Sequence, residues 1–145
     1  MEDWVRAGSL RRQPSSKNEI HNLLAISDRD LETWELSGMP ADTKLGLAYN
    51  AALQAANAAL RATGYRASGA AHHHRVIQSL THTIGLEEES ITLFDTFRKK
   101  RNISNYEMAG TVSESDAEEI YHLAREIRAR VGRWLRERHP ELMED

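Results

Sequence analysis

The chain has 145 residues, of which 40% are hydrophobic and 28% charged, and this size and composition predict one globular domain. The absence of cysteine excludes disulfides, thiolate zinc sites and cysteine nucleophiles, and a net charge of −3 excludes a general electrostatic attraction to nucleic acid or anionic lipid. Because no apolar run approaches the roughly 20 residues of a membrane span and the first residues lack a secretory signal, we expect a cytoplasmic protein without membrane contact.

The N-terminal third of the sequence mixes loop and helix signals. Residues 1–16 combine Trp4 and Leu10 with arginines, a proline and two serines, which predicts an arm that either docks on the domain or is partly disordered. We expect the domain itself to comprise residues 17–139 and a short tail to comprise 140–145. Residues 18–25 and 28–36 are predicted as two short helices joined near Ser27, and no segment of the chain shows a strand pattern.

A long alanine-rich helix is predicted from residue 42 onward. Its apolar positions recur at helical spacing, and Gly64 supplies a C-terminal stop; these positions are Leu45, Ala48, Ala52, Ala55 and Ala59. Alanine lets a neighbouring backbone approach closely, so this stripe indicates tight helix-on-helix packing. The sequence therefore predicts a helical bundle.

Three further helices follow the alanine-rich segment. Residues 72–85 place four apolar or aromatic side chains on one face before Gly85, namely His73, Ile77, Leu80 and Ile84. Residues 87–102 begin with glutamates and end with basic residues, as the helix dipole favours. The last helix is expected to start at a capping box of Ser115 and Glu118 and to bury Ile127 and Trp134. The predicted fold is an all-α, up-down bundle of four to five helices.

The segment FRKKRNISNYE, residues 97–107, is the most informative stretch of the sequence. It joins a basic cluster to an Arg-Asn pair and is followed by a short link to the last helix. Together with the helix ending in RATGYR and the segment GAAHHHRVIQSL, it resembles the HEPN superfamily over residues 17–138. The resemblance implies a homodimer whose two motifs face each other across a cleft, metal-independent RNA cleavage, and an association with toxin–antitoxin or defence systems.

The family motif is an arginine followed, after four to six residues, by a histidine. Arg101 and Asn102 match, but Tyr106 stands where the histidine is expected. Arginine offers a permanent cation and a planar fork of donors for phosphate, whereas tyrosine, with a pKa near 10, is a poor base at neutral pH. We therefore expect a regulatory dimer that binds RNA, a nucleotide or a protein partner, with a metal-independent endoribonuclease as the alternative.

The candidate residues follow from this motif. Arg101 and Tyr106 are the catalytic candidates, and the ligand-binding candidates are Arg98, Arg101, Asn102, Tyr106 and His73. Two other interpretations stay open. Arg101 and Asn102 could simply cap the helix while Tyr106 packs at the dimer seam, or Tyr106 could accept a nucleotide from a nucleotidyltransferase partner, as the resemblance implies. An antitoxin is the other partner that the resemblance implies.

Neither a metal ion nor a cofactor is expected. Consecutive side chains on a helix point about 100° apart, so His72, His73 and His74 cannot all face one ion. The arginines of the last helix alternate with glutamates, which indicates a solvated, salt-bridged face rather than a nucleic-acid stripe.

Overall fold

The fold is known from a computed structural model, which describes residues 1–36, 38–68, 72–106 and 112–144, with only the backbone described for 103–106. The elements in chain order are α1 (Glu2–Arg6), β1 (Leu10–Arg12), α2 (Lys17–Trp34), α3 (Ala41–Ala62), β2 (Tyr65–Ala67), α4 (His72–Ser79), α5 (Glu88–Tyr106), α6 (Glu114–Arg138) and a 3₁₀ turn (Pro140–Leu142). This confirms the predicted all-α bundle. Within these described ranges, no helix combines the length and apolarity needed to cross a membrane.

Helix α3 is the central element of the bundle. It packs mainly against α2 and α6, and α4 and α5 cover the rest of it. All five positions of the predicted stripe are buried, and half of the other buried positions of the helix are alanines too. Small side chains on several faces allow α2 and α6 to approach α3 from different sides. The chain leaves the helix through Gly64, whose φ of 89° lies in the left-handed region that glycine adopts without strain.

The prediction of two short helices before α3 is wrong. Residues 17–34 form one continuous helix, α2, capped by the Ser16 side chain, which accepts a hydrogen bond from the Glu19 amide. Ser27 does not interrupt the helix because its hydroxyl donates to the Ala51 carbonyl in α3 at 2.7 Å. The buried serine is thus satisfied across the helix interface rather than by ending the helix.

The expectation that the chain has no strand is also wrong. The strands β1 and β2 pair antiparallel, with Leu10 opposite Ala67 and Arg12 opposite Tyr65. Three-residue strands carry too little alternation to be recognised in a sequence. The pairing holds the first residues against the bundle, where Leu10 is buried, and Trp4 packs against the core.

Two helices end at other residues than the sequence predicts. Helix α4 ends at Ser79 rather than at Gly85, because the chain continues in tight turns in which Leu80, Thr81 and His82 each donate to the carbonyl three residues earlier. Helix α5, in contrast, continues past Asn102 to Tyr106. The Arg101–Asn102 pair therefore lies inside α5, more than one turn from its end, and does not cap it.

The last helix begins two residues earlier than predicted. Ser113 caps α6, because its hydroxyl accepts from the Asp116 amide at 3.0 Å and the Asp116 carboxylate accepts from the Ser113 amide at 3.3 Å. The capping box is therefore Ser113–Asp116, and Ser115 is an exposed residue of the first turn. Ile127 is fully buried, as predicted, whereas Trp134 is half-buried, with its ring 5.0 Å from that of His139.

Candidate functional site

The candidate site lies where the C-terminal half of α5 meets the start of α4 and the middle of α3. Phe94 and Phe97 are buried on the inner face of α5 and anchor the helix on the core. Arg98 and Arg101, three residues apart, share one side of the helix and are both half-buried. The packing of two phenylalanines thus fixes the position of two arginines.

Arg101 lies against an aromatic ring of α3. Its guanidinium carbon is 5.2 Å from the centroid of the Tyr49 ring, within the range of a cation–π interaction. Tyr49 is almost completely buried and makes an edge-to-face contact with Phe94 at 5.7 Å. The ring is therefore a rigid support that restricts where the Arg101 side chain can lie.

His73 completes this group from the start of α4. Its Nδ1 is 3.4 Å from the Tyr49 hydroxyl, a long hydrogen bond. Burial lowers the pKa of His73, and the charges of His72, Arg101 and Arg98 lower it further. His73 is therefore held in its neutral form near pH 7, beside two permanent cations.

The Tyr49 hydroxyl stays protonated in this setting. Burial raises its pKa to about 12, and the opposing effect of Arg101 and Arg98 is smaller. A protonated phenol can donate a hydrogen bond but cannot act as a base near neutral pH. Tyr49 is thus a positioning residue for Arg101 and His73.

A second cluster lies one turn back along α5, around Asp95. Its Oδ1 atom accepts from His74 Nδ1 at 2.9 Å and from Arg98 Nε at 2.7 Å, and Lys99 Nζ lies 3.7 Å from Oδ2. Burial works to raise the pKa of Asp95, but the hydrogen bonds from Arg98 and His74 outweigh it and hold the pKa at about 2. The carboxylate is therefore fully ionised at neutral pH.

Arg98 connects the two clusters. It bonds to Asp95 on one side, and on the other it is close enough to Tyr49 and His73 for its charge to lower the pKa of both. Consecutive histidines of α4 consequently have different surroundings: His73 meets Tyr49, and His74 meets Asp95. The arrangement brings two imidazoles and two guanidiniums together on one side of the molecule.

Of the predicted site residues, Arg98, Arg101 and His73 come together in this way. Asn102 is exposed on α5. The Tyr106 side chain lies outside the described residues, so its predicted role is a proposal. Sequence reasoning missed Tyr49 and Asp95; the three-residue spacing of Asp95, Arg98 and Arg101 was the available signal for the second of these.

The structure also bears on the three consecutive histidines and on the arginines of α6. In the described part of the chain, no three His, Asp or Glu side chains converge as metal ligands, and His72 is exposed. On α6, Arg128 pairs with Asp28 at 2.8 Å and Arg130 pairs with Glu87 at 2.9 Å. These arginines therefore join α6 to its neighbours, which agrees with a salt-bridged face.

The comparisons with known proteins give a family but no individual relative. No curated protein and no solved structure matches the chain. The model of one family, described as the HEPN domain, matches residues 20–134 and so covers most of the chain, including α3 and the whole Arg98–Arg101 region. The chain therefore belongs to the HEPN domain family.

Proposed function

We propose that this HEPN domain binds single-stranded RNA as a homodimer, through a cleft to which each subunit contributes Arg98, Arg101, Asn102 and Tyr106. Family membership connects the chain with nucleotide- or RNA-related functions. The observation that carries the proposal is the placement of Arg101: its guanidinium is held on the Tyr49 ring, one turn from a second arginine and beside a neutral histidine.

Arginine in this setting suits a phosphate ligand. Its planar fork donates two parallel hydrogen bonds to phosphate oxygens, and a rigid aromatic support lowers the entropy lost on binding. Since the molecule as a whole carries a charge of −3, recognition has to be local rather than by general attraction. Two copies of the arginine pair across a twofold axis would double the cationic surface that an RNA strand meets, so a dimer would bind RNA more tightly than a monomer.

Fluorescence anisotropy with a labelled single-stranded RNA tests the proposal. We expect Arg101→Ala to weaken binding about tenfold or more, because a charged hydrogen bond contributes about 1.5–3 kcal/mol. The matched control is Arg133→Ala, which removes the same charge from an exposed position of α6. The dependence of log affinity on log salt should fall by about 0.7 for each lost phosphate contact in Arg101→Ala. Equal effects of the two variants would contradict the proposal.

Sedimentation tests the dimer separately. At micromolar concentration, wild-type protein should sediment as a dimer of the 16.5 kDa chain. A monomer that still binds RNA would refute the cleft between two subunits, but it would remain consistent with RNA binding at Arg101 of a single subunit.

Metal-independent RNA cleavage is a second candidate function. It is favoured by the two histidines beside the arginines, since imidazole is the side chain best suited to exchange protons near neutral pH. Incubation of purified protein with RNA in the presence of a chelator distinguishes binding alone from binding with cleavage.

A further inference from the structure

His74 and Asp95 form a hydrogen-bonded pair at the edge of a cavity of about 250 Å³ between α4 and α5. His74 comes from the first turn of α4 and Asp95 from the middle of α5. The cavity is also lined by Thr92, Thr96, Lys99 and Glu88, so hydroxyls, a cation and a second carboxylate border it. The family motif at residues 97–107 contains neither member of this pair.

The ionised carboxylate of Asp95 fixes the orientation of the His74 ring. An ionised carboxylate can only accept hydrogen bonds, so at the 2.9 Å contact the proton must be on Nδ1 of His74. The neutral ring then carries its lone pair on Nε2. This is the relationship by which a carboxylate orients a histidine for proton transfer in many hydrolytic sites.

We propose that His74, oriented by Asp95, is the general base of a metal-independent cleavage of RNA by this domain. The proposal rests on the proposed RNA binding and supplies the base that the tyrosine at position 106 cannot provide. The substrate is RNA with a free 2′-hydroxyl next to the scissile phosphate. His74 is then a catalytic residue, and Asp95 is a positioning residue.

The reaction needs only the RNA, His74 and water. Nε2 of His74 takes the proton of the 2′-hydroxyl, and the 2′-oxygen forms a bond to phosphorus. The bond between phosphorus and the 5′-oxygen breaks, and that oxygen takes a proton from water. The products are a 2′,3′-cyclic phosphate and a 5′-hydroxyl, and the imidazolium returns its proton to the hydroxide that remains.

The surroundings of His74 fit this step better than those of His73. His73 Nδ1 is engaged with the Tyr49 hydroxyl beneath Arg101, whereas the ring of His74 borders an open cavity. Lys99, exposed at the cavity, can contact a phosphate oxygen, and Arg98 bridges this cavity to the Arg101 site.

Single-turnover cleavage and anisotropy, measured with the same RNA in the presence of a chelator, test the proposal. We expect wild-type protein to cut the RNA and to leave a cyclic phosphate end. His74→Ala should bind RNA with unchanged affinity but cleave it about 10²–10⁴-fold more slowly, as loss of a positioned base does. His122→Gln, which alters an exposed histidine on α6, is the matched control and should cut at the wild-type rate.

Chemical rescue separates a base from a merely structural histidine. Added imidazole should restore part of the cleavage by His74→Ala and should not accelerate the wild type. Asp95→Asn should also slow cleavage, and combining it with His74→Ala should slow it no further, because Asp95 acts through His74. An RNA with a single 2′-deoxy sugar at the scissile position should bind and remain uncut.

A failure of the proposed role of His74 can be told apart from a failure of the proposed RNA binding. Wild-type protein that binds RNA and does not cut it overturns the role of His74 and leaves RNA binding standing. Cleavage that is unchanged in both His74→Ala and His74→Gln likewise overturns it. Protein that shows no affinity for RNA refutes the proposed function itself.

Discussion

The guanidinium of Arg101 lies over the ring of Tyr49, with its carbon 5.2 Å from the ring centroid. The ring is buried between Phe94 and His73, so it cannot turn aside when a ligand binds. Arg101 is therefore supported by a residue of α3, far from it in the sequence, and the shape of the site depends on how α5 packs on α3.

Tyr49 should make the protein sensitive to alkaline pH. Its pKa is raised to about 12 in the folded state, mainly by burial, while the unfolded value is near 10. The unfolded chain therefore loses this proton first, so stability present below pH 10 is lost as the pH rises towards 12. Tyr49→Phe should remove on the order of 1 kcal/mol of this loss between pH 8 and pH 11, as measured by urea unfolding of both proteins at the two pH values. The same alkaline loss in both proteins would contradict this.

Asp95 should contribute to stability above pH 4. Its pKa is depressed to about 2 against an ordinary value of 3.8, so the contribution is present above the unfolded pKa and disappears as the pH falls to 2. Asp95→Asn should be destabilised by about 1–2 kcal/mol at pH 7 and nearly equal to wild type at pH 2. Glu118→Gln, an exposed change on α6, is the control for charge alone.

The two serines near the start of α6 provide a direct test of its cap. Ser113→Ala should destabilise the protein by about 0.5–2 kcal/mol, because it removes the hydroxyl that accepts from the Asp116 amide. Ser115→Ala should have no such cost, since alanine is the better helix former at an exposed helical position. Thermal or urea unfolding measures both, and a larger loss for Ser115→Ala would place the cap where the sequence pattern put it.

The exact start of α6 could not be predicted from neighbouring residues alone. Both serines are followed, three residues later, by an acidic residue, Asp116 or Glu118, so the sequence offers two capping boxes. The buried stripe of α3 was predictable because helical periodicity is a property of neighbouring residues. The continuity of α2 was not, because it depends on the bond from Ser27 to a carbonyl of another helix.

The residues of the candidate site also differ in whether the sequence alone could identify them. Arg98 and Arg101 could be identified because the motif is contiguous in sequence. The spacing of Asp95 from these arginines was visible in the sequence, but its role was not, and neither was that of Tyr49, because both roles arise from contacts between separate helices. In the sequence, Tyr49 is one more apolar residue of an alanine-rich helix.

The core of α6 should not tolerate a charge. Ile127 is fully buried, so Ile127→Asp places an unpaired carboxylate in the core and should unfold the domain. Ala129→Asp introduces the same charge at an exposed position two residues away and should leave the melting temperature nearly unchanged. Circular dichroism measures both, and a folded Ile127→Asp protein would show that another face of the helix is buried.

Tyr106 stands where the predicted motif has a histidine. Tyr106→His restores a side chain with an ordinary pKa near 6.5 in place of one near 10, and so should raise chelator-insensitive RNA cleavage above the wild-type rate. Adding Arg101→Ala should abolish the gain, because phosphate is then no longer held against the new base. Tyr106→Phe is the matched comparison and, at saturating RNA, should cut at the wild-type rate if the base lies elsewhere, as proposed for His74. A strong loss of cleavage in Tyr106→Phe would instead make the tyrosine itself a participant, and a gain in Tyr106→His that survives Arg101→Ala would exclude Arg101 as the phosphate-binding residue.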